Sequence, residues 1–167
     1  PASEISEQIS LAGTEASGTG NMKLMLNGAI TMGTYDGANV EIHEQVGDEN
    51  IFIFGMNAKE VDVMKANGYS AEGYFSSDPI IADAINRMYN GINGAKFEEV
   101  ANALRFVDQY MALADFDSYR ATQKKSSEIY KNASQWNKMS LNNIAGAGIF
   151  SADRAVTEYA KDIWHLD

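Results

Sequence analysis

Apolar residues follow two different rhythms along this chain. In the first third they come as short unbroken runs; from residue 78 onward they recur every three or four positions. Unbroken runs of strand length suit strands covered on both faces, whereas helical spacing suits helices with one buried face. Residues 20–27 predict a short helix closed by Asn27-Gly28, a pair suited to a left-handed stop. Residues 29–34 predict a buried strand, Asp36-Gly37 a turn, and residues 51–54 a second covered strand. Residues 38–46 admit a helix or a strand, and the helix is preferred. Asn57 is placed to cap the next helix, with Val61 and Met64 inward and a stop near Asn67-Gly68. Strand and helix in alternation predict an α/β fold with crossover connections and a largely parallel sheet.

From residue 78 the pattern is helical. Asp78-Pro79 combines a capping side chain with proline at the first helical position. Five stripes follow: Ile81, Ala84, Ile85, Met88; then Phe97, Val100, Leu104, Val107, Met111; then Tyr119, Gln123, Ser126, Tyr130; then Trp136, Met139, Asn143; and last Val156, Tyr159, Ile163, with Ser151 as a cap. Met, Phe and Tyr in these stripes are expected in helix packing, and Trp136 and Trp164 as packing anchors. The expected organisation is a strand-bearing segment, 1–56, followed by a mainly helical one, 57–167.

Composition narrows the partners. A formal charge of −10 over 167 residues disfavours nucleic acid or an anionic membrane, either of which needs a basic face. The absence of cysteine removes disulfides and thiolate metal sites and agrees with a cytoplasmic protein. His43 and His165 have no neighbours at ligand spacing, so no metal is expected. Pro1 in place of an initiator methionine points to a fragment or a processed product.

The chemistry concentrates in Gly13-Thr14-Glu15-Ala16-Ser17-Gly18-Thr19-Gly20-Asn21-Met22-Lys23. Glycine allows a sharp turn and close approach to backbone N–H groups. A helix beginning near Thr19 aims unpaired N–H donors at the same space, which suits a phosphate group, and Lys23 falls about one turn inside it. A Walker loop is excluded because Thr19 follows Gly18 where lysine should stand, and the dinucleotide fingerprint fails at Lys23. A phosphate cradle beside a lysine is the arrangement a phosphorylated aldehyde cofactor needs.

This string resembles the cofactor segment of the α-glucan phosphorylases, the glycogen, starch and maltodextrin phosphorylase family. The likeness starts at Ser6-Glu7-Gln8-Ile9-Ser10 and continues through Asn27-Gly28-Ala29-Ile30-Thr31-Met32-Gly33-Thr34-Tyr35-Asp36-Gly37-Ala38-Asn39-Val40-Glu41 and Glu49-Asn50-Ile51-Phe52-Ile53-Phe54-Gly55. It returns at Tyr130-Lys131-Asn132, Trp136 and Phe150-Ser151-Ala152-Asp153-Arg154. It is densest over residues 3–55 and looser through 60–125.

The resemblance implies the C-terminal part of a Rossmann-like domain of the GT-B glycosyltransferase type. It implies a pyridoxal 5′-phosphate enzyme that phosphorolyses α-1,4-glucans to glucose 1-phosphate with retention, in a family with allosteric members. Lys23 stands at the family lysine that carries the cofactor, and burial is expected to disfavour its ammonium form. Thr19 and Gly20 match positions that hold the cofactor phosphate. Glu15, Ser17 and Gly18 match positions that bind hydroxyls of the transferred glucosyl unit, and Asn21 is given a structural role. The implied partners are α-1,4-glucan, orthophosphate, the N-terminal remainder of the same enzyme and a second copy in a homodimer. Since the remainder supplies further phosphate-binding groups, the fragment alone is expected to be inactive. Two alternatives stay open: a non-catalytic module binding a phosphorylated ligand at Gly18–Gly20, and a helical scaffold in which residues 78–167 bind a partner.

Overall fold

The computed structural model describes residues 3–16 and 18–166. Three strands, β1 (Ile5–Gln8), β2 (Ile30–Thr34) and β3 (Phe52–Phe54), form a parallel sheet in the order β1-β2-β3. Ile5 pairs with Ile30 and Gln8 with Gly33; Met32 pairs with Phe52 and Thr34 with Phe54. The crossovers are α1 (Gly20–Leu26) and α2 (Ala38–Val46). Asn27 and Gly28, the latter at φ +83°, stop α1 as the sequence implies. Residues 38–46 resolve to the helix.

Every residue of β2 is buried, because the strand is central and both of its faces are covered. Alternation along β3 divides two cores. Phe52 and Phe54 join Ile30, Met32, Trp136 and Met139 on one side, while Ile53 packs with Met25, Ile42, Ile51 and Ala147 on the other. The first core is closed by α7 (Ala112–Tyr130) and α8 (Ala133–Gly146), the second by α1, α2 and a 3₁₀ turn at Ala147–Phe150. Trp136 anchors the first core as expected: it stacks on Phe52, meets Tyr130 edge-on, and donates from Nε1 to Glu4 at 3.0 Å.

A separate helical core, Ala71, Ile81, Ile85, Ala101 and Leu113, is formed with α4 (Ala71–Ser77), α5 (Pro79–Asn90) and α6 (Glu98–Asn102). Helix α3 (Ala58–Asn67), whose Val61 packs with Leu11, Ala12 and Met111, is opened by a full capping box of Asn57 with Glu60 and ended at Gly68, φ +84°. The Asp78-Pro79 start of α5 is present, with Asp78 Oδ1 accepting from Ile80 and Ile81.

Four readings are corrected. Strand β1 went unread: Ile5 is its only apolar residue, and as an edge strand it needs little apolar surface. The stripe Phe97, Val100, Leu104, Val107, Met111 does not line one helix. After α6 the backbone widens into a π turn at Ala103–Val107 and stops at Asp108, φ +38°, so the period breaks and Phe97, Val100 and Val107 face outward. The Asp108 carboxylate then caps α7, accepting from Ala112 and Leu113 at 2.9 and 2.8 Å. The last stripe lies on α9 (Ala152–Glu158) and a π turn at Tyr159–Ile163, capped by Ser151 as expected, but no described residue covers it. Trp164 is 56 % exposed there and anchors no core.

Candidate functional site

In a parallel sheet the loops leaving the carboxyl ends of adjacent strands meet at one edge, where ligands bind in open α/β folds. Here those loops are the stretch between β1 and α1, the turn between β2 and α2, and the link from β3 to α3. The glycine-rich segment therefore lies at the edge where a site is built. Two side chains, one from the second loop and one from the first turn of α2, organise the first loop.

Asp36 is buried, and its Oδ2 accepts from Ser10 Oγ at 2.9 Å, Thr14 N at 3.3 Å and Glu15 N at 2.8 Å. Burial pushes its carboxyl upward, but the donors of Glu15, Ser10, Gly13 and Gly37 outweigh that and hold it below the ordinary carboxylate value. Asn39, also buried, donates to Thr34 O at 3.0 Å and Gln8 O at 3.3 Å and accepts from Asn21 Nδ2 at 2.9 Å. It thus pins both strand ends to the first turn of α1. Gly33 makes this possible, since a Cβ there would stand 2.5 Å from Asn39 Nδ2. Asn21 Oδ1 in turn accepts from Met22 N, which supports its structural assignment.

The sequence-predicted residues distribute as follows. Glu15 is exposed, with its backbone tied to Asp36 and its side-chain stem over Gly37. Gly18 sits against Asn21; Thr19 and Gly20 open α1, and Lys23 is its fourth residue, with N–H to Thr19 O at 3.2 Å. Ser17 lies outside the described residues. Lys23 is exposed, so the expected burial of its amine is not found: no described element lies over that face of α1. Among the described residues there is no cluster of three metal-ligating side chains.

The donor set suits a phosphorylated aldehyde. A Cβ added to Gly20 would meet nothing within 4 Å, so the backbone at the head of α1 is open to an approaching anion. The Thr19 side chain makes no capping bond there, and a primary amine follows within one turn. Beside Glu15 a cavity of about 530 Å³ is lined by Ser10, Thr14, Phe54, Tyr110, Asp115 and Tyr119 among others. Sequence reasoning missed Asp36 and Asn39. The available signals were a carboxylate two residues after a covered strand, and an amide on an otherwise apolar inward helix face.

The family model described as Carbohydrate phosphorylase matches residues 1–166. Over the whole chain the sequence is 48 % identical to the liver form of glycogen phosphorylase from Bos taurus. It is 46 % identical to the muscle form and 47 % identical to the liver form from Homo sapiens. In each case the chain covers 20 % of the relative's length.

Proposed function

Since this chain belongs to the carbohydrate phosphorylase family, we propose that the polypeptide carrying it phosphorolyses α-1,4-glucans, with pyridoxal 5′-phosphate attached at Lys23. The reaction transfers a glucosyl unit from the glucan end to orthophosphate, giving glucose 1-phosphate with retention and a glucan one unit shorter. The observation that carries this reading is the conjunction at one sheet edge of an exposed carboxylate, an open glycine at a helix head, and an amine one turn in.

The chain's own residues bind and orient. The backbone N–H groups of Thr19 and Gly20 hold an anionic phosphate, whose charge the first turn of α1 favours. The Glu15 carboxylate accepts from sugar hydroxyls, and Gly18, together with Ser17, offers N–H donors to the same unit. These contacts matter most where the sugar gains oxocarbenium character, because hydrogen bonds to its hydroxyls strengthen there. When bound, the cofactor supplies a phosphate that titrates near neutral pH, suited to acid–base work beside orthophosphate.

Residues 1–167 are proposed to act as the C-terminal, cofactor-binding portion of a GT-B enzyme, 1–56 with the lysine and strands and 57–167 mainly helical. The exposed Lys23 marks a site with one wall only, so the segment by itself is expected to be inactive. The reading extends, by the family likeness, to a cytoplasmic homodimer for the whole enzyme. No described helix is long and apolar enough to cross a membrane. The test is phosphate-dependent release of glucose 1-phosphate by the full-length polypeptide. Release supports the reading, and a protein that instead releases free glucose or nothing overturns it.

A further inference from the structure

Three donors from one six-residue stretch, Ser10, Thr14 and Glu15, converge on a single oxygen of Asp36. They close that stretch into a loop whose last residue is Glu15. Asp36 is itself fixed from its own side, with its N–H to Thr34 O at 2.9 Å and its carbonyl accepting from Asn39 N at 3.1 Å. Gly37 leaves room for the Glu15 side chain from another direction. It sits at φ +49° and ψ −138°, and a Cβ there would stand 2.6 Å from Glu15 Cγ. Among the described residues nothing hydrogen-bonds the Glu15 carboxylate, so its lone pairs remain free for a ligand while its backbone and stem are held. Asp36 is buried and three donors of the Glu15 loop share its Oδ2, so the route to a substrate that the structure shows runs through Glu15.

We infer that Asp36 and Gly37 are positioning residues that set the Glu15 carboxylate against the hydroxyls of the transferred sugar, an inference that rests on the phosphorolytic reading above. Asp36→Asn keeps the shape of the side chain but removes its charge and replaces one acceptor with a donor. It leaves Ser10, Thr14 and Glu15 competing for a weaker partner, and the Glu15 end of the loop gains freedom.

The test is a double-mutant cycle in the full-length polypeptide, with kcat/KM for glucan measured in wild type, Asp36→Asn, Glu15→Gln and the double variant. Asp36→Asn is expected to lower kcat/KM by roughly tenfold with Glu15 present, a size typical of directly coupled neighbours. In the Glu15→Gln background the loss is expected to be below about twofold, since the residue being positioned is already disabled. Equal losses in both backgrounds make Asp36 an independent structural residue and overturn the inference, while leaving the phosphorolytic reading intact. A wild type that releases no sugar phosphate removes that reading and this inference together. Should Asp36→Asn fail to fold, Gly37→Ala enters the same cycle, with the same dependence on Glu15 expected and the same equality of losses overturning it.

Discussion

Replacing Gly33 with alanine should damage the fold more than any other single methyl group added to the sheet. The new Cβ would stand 2.5 Å from Asn39 Nδ2 and closer still to the carbonyl oxygen of Gln8, an atom of the neighbouring strand's backbone. Backbone cannot rotate out of the way, so β1 and β2 must part or Asn39 must withdraw. Parting strains the register that pairs Gln8 with Gly33. Withdrawal breaks the hydrogen bonds from Asn39 to Thr34 O and Gln8 O, and weakens the one from Asn21. Overpacking a filled interior costs about 1–3 kcal/mol. Each buried polar group left without a partner costs a further 1–3 kcal/mol or so. With one such group orphaned a total of about 2–6 kcal/mol follows, a large share of the roughly 5–15 kcal/mol that holds a typical domain. Hydrogen exchange of the Ile30–Thr34 amides, with the denaturant midpoint of the same protein, reads the loss directly. Protection unchanged from wild type would mean that Asn39 does not clasp the strand ends, and the stated origin of the site's rigidity would be wrong.

Gly20→Ala is expected to do the opposite: its Cβ enters open space, so stability should be unchanged or higher by up to about 1 kcal/mol, while retention of pyridoxal phosphate by the full-length polypeptide falls. Undiminished cofactor content would remove the open glycine from the proposed cradle. Burial raises the Asp115 carboxyl, opposed by the N–H of Met56 and reinforced by Asp108 and Glu60. Its stabilising contribution is therefore full below the ordinary carboxylate value and lost as the pH rises through the raised one. Asp115→Asn, which still offers an oxygen to Met56 N, should be favoured over wild type more at pH 7 than at pH 3 in urea titrations; the reverse order would refute the assignment. Asn57→Ala removes both acceptor bonds of the α3 capping box and should cost about 1 kcal/mol, read as a lowered denaturant midpoint, with no shift expected if the helix is held by packing alone.

The α/β fold, the bounds of α1, α2 and α3 and the start of α5 were legible because they depend on local chemistry, whereas α4 went unread. The Asn57 and Asp78 caps, the Asn27-Gly28 stop and the unbroken run of β3 act over a few residues, and the structure places each where its sequence signal lies. What escaped depends on distant partners. Strand β1 is specified by its pairing with β2 and by the reach of Asn39 across 31 residues to Gln8, neither visible in four mostly polar letters. The break after α6 comes from Asp108 leaving the helix to cap the next one, which apolar spacing cannot register. The site was legible as a motif: Glu15, Gly18, Thr19, Gly20 and Lys23 stand out by type and order. Its support was not, because Asp36 and Asn39 act from a second loop and the helix after it and resemble ordinary turn and helix residues. The exposure of Lys23 likewise reflects what covers α1, and no local pattern encodes that.

Everything proposed about function turns on the amine of Lys23. Borohydride reduction of the full-length polypeptide, followed by peptide mapping, fixes any bound pyridoxal group on the residue that holds it. One label, on the peptide containing Lys23 and lost in Lys23→Ala, is the expected result. An unlabelled protein, or a label on any other lysine, would contradict it.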